Sequence, residues 1–177
     1  MKKNIIYFIL VFLCPVILTL AWWGLFSSPS LDIREEGKVR YVYLDSRGPY
    51  AKLQEKRNEV LYELKKQGIL PGASITLLMT DPRTTEPDNL LARTGYIIDK
   101  ETNLSPPLKY AELDPRKVLV ATIKAHPLFA YGKAYGAILA YCQKNGFKLQ
   151  LPTVEMYNKS ILSVEMPFPI GKEEITS

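Results

Sequence analysis

Hydrophobic and polar residues follow one another along the chain in patterns that predict short strands and two long helices. The segment 38–44 alternates in β-branched and aromatic residues and predicts a strand, which Gly48-Pro49 ends. A helix with one apolar face is predicted over about 50–67, and Gly68 is a natural stop for it. Two further strands are predicted in this half, over the ranges 74–80 and 94–98.

The same order of elements returns in the second half of the chain. The prediction there is a strand over 118–123, a helix over about 129–145 and two strands over 154–157 and 162–166. The halves align at a constant offset of 78 residues, which maps Pro49 onto Pro127 and Gly68 onto Gly146. An internal repeat of this kind constrains the fold strongly. We predict an α+β fold, in which two β-α-β-β units form one antiparallel sheet with helices on one face and a central groove on the other.

The amino-terminal part of the chain has a different pattern, an apolar run over residues 5–26 that carries no charge. As a helix these 22 residues would be about 33 Å long, enough for a hydrocarbon core of about 30 Å. Trp22 and Trp23 near its far end suit a membrane interface. We therefore predict one transmembrane helix as an anchor. A cleaved signal peptide, or a lipoprotein signal at Cys14, stays open as an alternative.

The position of charges around this run predicts its orientation and the division of the chain. Lys2 and Lys3 precede the run, so the positive-inside rule places the amino terminus in the cytoplasm and the folded part outside it. The reverse insertion would leave a cytosolic domain. We divide the chain into a transmembrane anchor with its linker (1–30), one folded domain (31–170) and a short polar tail (171–177).

Composition and charge exclude several classes of function for the 177-residue chain. Its net charge is +5, and without the first 30 residues it is +3, spread along the sequence rather than gathered in the basic stripe of a nucleic-acid-binding protein. Two distant cysteines and one histidine, His126, argue against a disulfide scaffold and against a zinc site. His126 precedes Pro127, where a helix-entry or packing role is expected. We predict no cofactor, no metal and no catalytic residue.

Several short motifs resemble the GyrI-like domain, the small-molecule-binding fold of multidrug-responsive transcription regulators and of the gyrase inhibitor protein. They are Gly48-Pro49-Tyr50 before the first helix, His126-Pro127 before the second, and Val-Glu-Met in the last two strands. The resemblance covers about residues 36–170. Unlike those regulators, the chain has no helix-turn-helix segment. Its layout is similar to the GyrI-like receptor of endoplasmic-reticulum autophagy, without that family's long aromatic tail.

The resemblance implies that Glu165 is the acidic residue in the floor of a ligand pocket. A carboxylate in an aromatic-lined cleft attracts a lipophilic cation. Strand alternation, with Val154 and Met156 towards the helices, would place Glu155 and Tyr157 in the groove. Glu155 and Glu165 would share one face only if the loop around Ser160 had an odd length. The predicted ligand-binding residues are Glu165, Tyr157, Glu155, Tyr50, Phe129 and Tyr96.

These observations together predict a membrane-anchored, non-enzymatic domain that binds a small amphipathic ligand, cationic or neutral, in its groove. One alternative is a protein-interaction or scaffold domain whose groove holds a partner. Another is a hydrolase of reactive small molecules, in which Glu155 and Glu165 would activate water. The expected partners are a small molecule and a membrane through residues 5–26, with no nucleic acid.

Overall fold

The computed structural model describes residues 7–99 and 103–169, and within them eight strands form one sheet. The strands are β1 (Ser30–Glu36), β2 (Val39–Arg47), β3 (Ser74–Leu78), β4 (Leu91–Ile97), β5 (Lys109–Leu113), β6 (Arg116–Lys124), β7 (Thr153–Asn158) and β8 (Ile161–Pro167). The helices are α1 (Cys14–Trp22), α2 (Leu53–Lys66) and α3 (Pro127–Lys144), with a π-helical turn at Ile9–Leu13 and 3-10 turns at Tyr50–Lys52 and Pro87–Asn89.

The antiparallel α+β sheet predicted from the repeat is confirmed. Its order is β1-β6-β8-β7-β3-β4-β2-β5, so β7 and β3 pair at the centre, and each half ends on an edge strand contributed by the other half. The two long helices end alike. Gly68 and Gly146 have φ of 70° and 67°, and the next amide in each case reaches five residues back, Ile69 N–H to Leu64 O and Phe147 N–H to Cys142 O.

Both long helices pack on the same face of the sheet. From α2, Leu53 and Leu64 are buried, and α3 buries Ala130, Ala134 and Ile138 at a spacing of four residues. Contacts of α2 go to β2 and β4, and those of α3 go to β6 and β8. The two helices therefore lie side by side over the two halves of the repeat, and a groove remains between them.

His126 begins the second helix, which confirms its expected role. Its Nδ1 accepts the amide N–H of Leu128 at 3.3 Å, and Pro127 occupies the first helical position. The imidazole ring of His126 also stacks on the Trp23 ring, with centroids 4.5 Å apart. The backbone N–H of His126 donates to the Trp23 carbonyl at 2.8 Å. Lys133 donates to the carbonyls of Gly24 and Ser27. These contacts fix the end of the apolar segment against α3.

The predicted transmembrane helix is wrong. Among residues 7–99 and 103–169, no helix is long and apolar enough to cross a membrane. The apolar segment is divided between a π-helical turn and the nine residues of α1, and Gly24 with φ of 89° then turns the chain. The predicted extracytoplasmic placement rested on that span and is wrong too, and the described residues do not support a membrane as a partner. Residues 1–6 and the predicted polar tail, 171–177, lie outside the described residues.

Two edge strands were missing from the predicted fold. β1 begins at Ser30, which the prediction assigned to a linker, and β5 lies in a stretch that was left without an element. β1 is almost wholly exposed and carries charged residues, so it lacks the alternation that marks a half-buried strand. It pairs with β6, while β5 pairs with β2.

Candidate ligand-binding site

The β7–β8 hairpin places Glu155 and Glu165 on opposite faces of the sheet. Its loop has two residues, Lys159 and Ser160, which both have positive φ (46° and 68°) as a type I′ turn requires. With this even length, Glu155 pairs with Val164 and Glu165 pairs with Val154. Directly paired residues share a face, so the register separates the two acidic side chains.

Glu155 lies on the face that the helices cover, contrary to the expected alternation. Its Oε1 accepts the hydroxyl proton of Tyr135 from α3 at 2.8 Å. Val154 and Met156 instead pack with Ile75 and Leu77 on the opposite face. The cluster on that face consists of strand residues, with Tyr41, Tyr43 and Val154 buried in it. The groove therefore lies between the helices and not on the far side of the sheet.

A cavity of about 260 Å³ lies in this groove, and we call it the groove cavity. Glu155 and Thr76 form its floor on the sheet, and residues from both helical units form its walls. A second cavity of about 390 Å³ adjoins it through the shared residues Gln54, Arg57 and Tyr131. The groove cavity is lined by Tyr50, Ala51, Leu53, Gln54, Arg57, Thr76, Leu78, Tyr131 and Glu155.

Four of the six predicted ligand-binding residues line the groove cavity or the cavity that adjoins it, and two do not. Tyr50 and Glu155 line the groove cavity, and Tyr96 and Tyr157 line the adjoining one. Phe129 is half-buried in the first turn of α3, apart from both linings, and Glu165 lies on the other face. The structure thus brings four of the six into one continuous groove.

Arg57, Tyr131 and Tyr135 complete the site, and the sequence analysis did not assign them to it. Tyr131 and Tyr135 lie four residues apart on α3, a spacing that also suits core residues. The signal that identifies them is their position one and two turns after the His126-Pro127 helix start, opposite the strand that carries Glu155. Within the described ranges, no three His, Cys, Asp or Glu side chains come together as a metal ion would require.

Burial raises the pKa of Glu155 to about 7. The Tyr135 hydrogen bond and the positive charge of Arg57 act in the opposite direction but do not offset the desolvation of the carboxylate. Among the described residues, no Lys or Arg forms an ion pair with Glu155, and Arg57 instead donates to Gln54 Oε1 at 2.7 Å. Near neutral pH the carboxyl group is therefore about half ionised and open to a charged partner.

Glu165 has a different environment on the far face. Its side chain is 1% exposed and forms an ion pair with Arg116. Burial raises its pKa, and the Arg116 guanidinium works against that rise. Its Oε1 has no hydrogen-bond partner within the part of the chain that the structure describes. Because the sheet separates Glu165 from Glu155, the two carboxylates do not face one substrate.

A sequence model of the GyrI-like small molecule binding domain matches residues 30–170. The chain belongs to the GyrI-like family. A search of curated protein sequences gave no significant match. The fold of this GyrI-like chain is similar to that of the EcmrR C-terminal domain, with a TM-score of 0.62 and 14% identity, covering 78% of this chain and 96% of that one.

Two further solved structures share the fold. SAV2435 bound to tetraphenylphosphonium aligns with a TM-score of 0.52 at 12% identity, covering 80% of this chain and 94% of the other. A hydrolase from Listeria innocua aligns with a TM-score of 0.53 at 9% identity, covering 79% and 92%. At these identities the likeness concerns the fold, and the membership in a small-molecule-binding family rests on the sequence match.

Proposed function

We propose that the groove between α2 and α3 binds a small amphipathic cation without catalysing a reaction, and that Glu155 supplies the negative charge. The observation that carries this proposal is a carboxyl group in a cavity lined by Tyr50 and Tyr131, with no ion-pair partner among the described residues. A buried charge without a partner is costly, so a bound cation would stabilise the ionised form.

The aromatic residues around Glu155 favour the same class of ligand. Burial raises the pKa of Tyr50 and of Tyr131, so both hydroxyls stay neutral at physiological pH. Faces of such rings attract cations by about 0.5–2 kcal/mol each. Arg57 disfavours a cation at the rim, so we expect the charged group of the ligand to lie at the Glu155 end of the groove and its apolar part near Tyr96 and Tyr157.

The fold relatives give the proposal a usable probe. Tetraphenylphosphonium, which is bound in the SAV2435 structure, is a lipophilic cation. The two adjoining cavities of about 260 and 390 Å³ together fall in the range of about 300–1,000 Å³ that is typical of ligand pockets. Isothermal titration of the full chain with this cation at pH 8 tests the proposal. We expect Glu155→Gln to weaken binding about tenfold or more, since the Coulomb attraction between two unit charges about 6–8 Å apart is about 2–3 kcal/mol at an effective dielectric constant of about 20.

Glu165→Gln is the matched control, because it makes the same chemical change on the neighbouring strand but on the far face. It should leave the affinity within about twofold of the unmodified chain. Equal losses in both variants, or no loss in either, would contradict the assignment of Glu155. If no lipophilic cation bound at all, the proposal would fail, and the groove would have to be tested as a contact surface for a protein.

The hydrolase alternative loses support from the geometry. It required Glu155 and Glu165 to act together on one molecule, and the hairpin register places them on opposite faces. We therefore propose binding without turnover.

A further inference from the structure

A third cavity, separate from the groove cavity and the one that adjoins it, has Tyr135 in its wall, and we call it the apolar cavity. Its volume is about 220 Å³. Leucine and proline side chains from β3, α3 and two loops supply most of its wall. The lining residues are Leu78, Thr80, Asp81, Pro82, Arg83, Tyr135, Leu139, Leu149, Leu151 and Thr153.

Two tyrosine hydroxyls and one leucine separate the apolar cavity from the groove cavity. The Tyr135 hydroxyl bridges Thr153 Oγ1 at 2.9 Å and Glu155 Oε1 at 2.8 Å. Tyr50 donates to the Thr80 carbonyl at 2.7 Å. Leu78 lines both cavities, and both tyrosines pack against the cluster that contains it. This partition is held by hydrogen bonds at each end, so the two cavities are separate compartments.

Polar groups in the wall of the apolar cavity already have partners. Thr153 Oγ1 is bound to Tyr135, and Thr80 Oγ1 accepts the Leu91 N–H at 2.9 Å. Arg83 donates to Asp81 Oδ1 and Oδ2 at 2.9 and 2.6 Å, so the two charges satisfy each other. The side-chain oxygens of Thr80, Asp81 and Thr153 are therefore already hydrogen-bonded, whereas a hydrocarbon would gain contact with the leucines.

We infer that the apolar cavity is a second binding site, which takes an uncharged hydrocarbon group of about one substituted aromatic ring. An apolar cavity of about 150 Å³ is large enough to bind benzene. The volume here leaves room for a short alkyl substituent. The site is distinct from the cation site of the proposed function, because it neither contains Glu155 nor depends on its charge.

Ethylbenzene is the probe, added to the full chain with ¹³C-labelled leucine methyl groups. We expect NMR shifts at Leu139, Leu149 and Leu151 that saturate, with smaller shifts at Leu53 in the groove cavity. Leu149→Phe and Leu139→Phe each place a larger side chain in the apolar cavity, from a loop and from a helix. Each should weaken ethylbenzene binding at least tenfold while tetraphenylphosphonium affinity stays within about twofold.

Two results would overturn the inference. One is the absence of saturating shifts at Leu139, Leu149 and Leu151, including the case in which ethylbenzene moves only Leu53. The other is unchanged ethylbenzene affinity in both phenylalanine variants. Neither result bears on the cation site, whose own test is Glu155→Gln, so the two proposals can fail independently.

Discussion

Glu155 and Glu165 lie on the two strands of one hairpin, and each is the acid in a Val-Glu-Met sequence. The first lies under the helices, beside a cavity, and has a tyrosine hydroxyl as its hydrogen-bond partner. The second lies under no helix and is paired with Arg116. An acid whose charge is already neutralised by a fixed cation has little to offer a ligand, while an acid without a cation can pair with a charged ligand.

The largest expected effect is the loss of stability when the ion pair between Glu165 and Arg116 is broken. Arg116→Leu would leave a fully buried carboxylate without its cation, which costs about 3–5 kcal/mol in the free energy of unfolding. Urea denaturation measures it. The double variant Arg116→Leu/Glu165→Leu should recover most of the loss. A cost below about 1 kcal/mol for the single change would show that the pair is not a structural one.

The effect of replacing Glu155 on the free energy of unfolding should depend on pH. The pKa of Glu155 is about 7 in the folded chain, above the usual 4.5, so the folded state binds the proton more tightly than the unfolded state does. The stability that this difference contributes is fully present below pH 4.5 and is lost as the pH rises to 7. Glu155→Gln removes this decline. Between pH 4.5 and pH 8, the free energy of unfolding of the variant should rise by about 2–3 kcal/mol relative to that of the unmodified chain, as measured by urea denaturation. A difference that stays constant across this range would contradict the buried environment of Glu155.

The smallest effect tests the turn that separates the two acids. Ser160 has φ of 68°, where an L-residue is strained and glycine is not. Ser160→Gly should therefore stabilise the protein by about 0.5 kcal/mol in thermal or urea unfolding. Asn158→Gly, at the last position of β7, is the control and should destabilise it. If Ser160→Gly were instead as destabilising as the control, the two-residue turn and its register would be in question.

Much of the fold could be predicted from the sequence because the repeat carries it. The offset of 78 residues even maps the range 30–36 onto 108–114, which is where β1 and β5 lie, although neither was predicted. Those strands lie at the sheet edges and are polar, so periodicity alone does not identify them. The apolar run at residues 5–26 was misassigned because hydropathy does not reveal the π-helical turn at Ile9–Leu13 or the packing of Trp23 on His126.

The site was harder to predict, because successive side chains of a strand point to opposite faces of the sheet. One residue of register exchanges the two faces, so the length of the Lys159-Ser160 turn decides which glutamate meets the groove. Positions 154–156 and 164–166 are both Val-Glu-Met, and the resemblance favoured Glu165, whereas the register places Glu155 in the groove. Arg57 and Tyr135 reach the site from helices, at positions that local sequence cannot place relative to a distant strand.

The most direct test of the account is the affinity of the full chain for tetraphenylphosphonium at pH 6 and at pH 8. With a pKa of about 7, Glu155 gains its charge across this interval, while the buried Tyr135, whose pKa is raised, stays neutral. The account predicts binding about fivefold to tenfold tighter at pH 8, and no such dependence in Glu155→Gln. An affinity that is the same at both pH values, or a dependence that persists in Glu155→Gln, would contradict it.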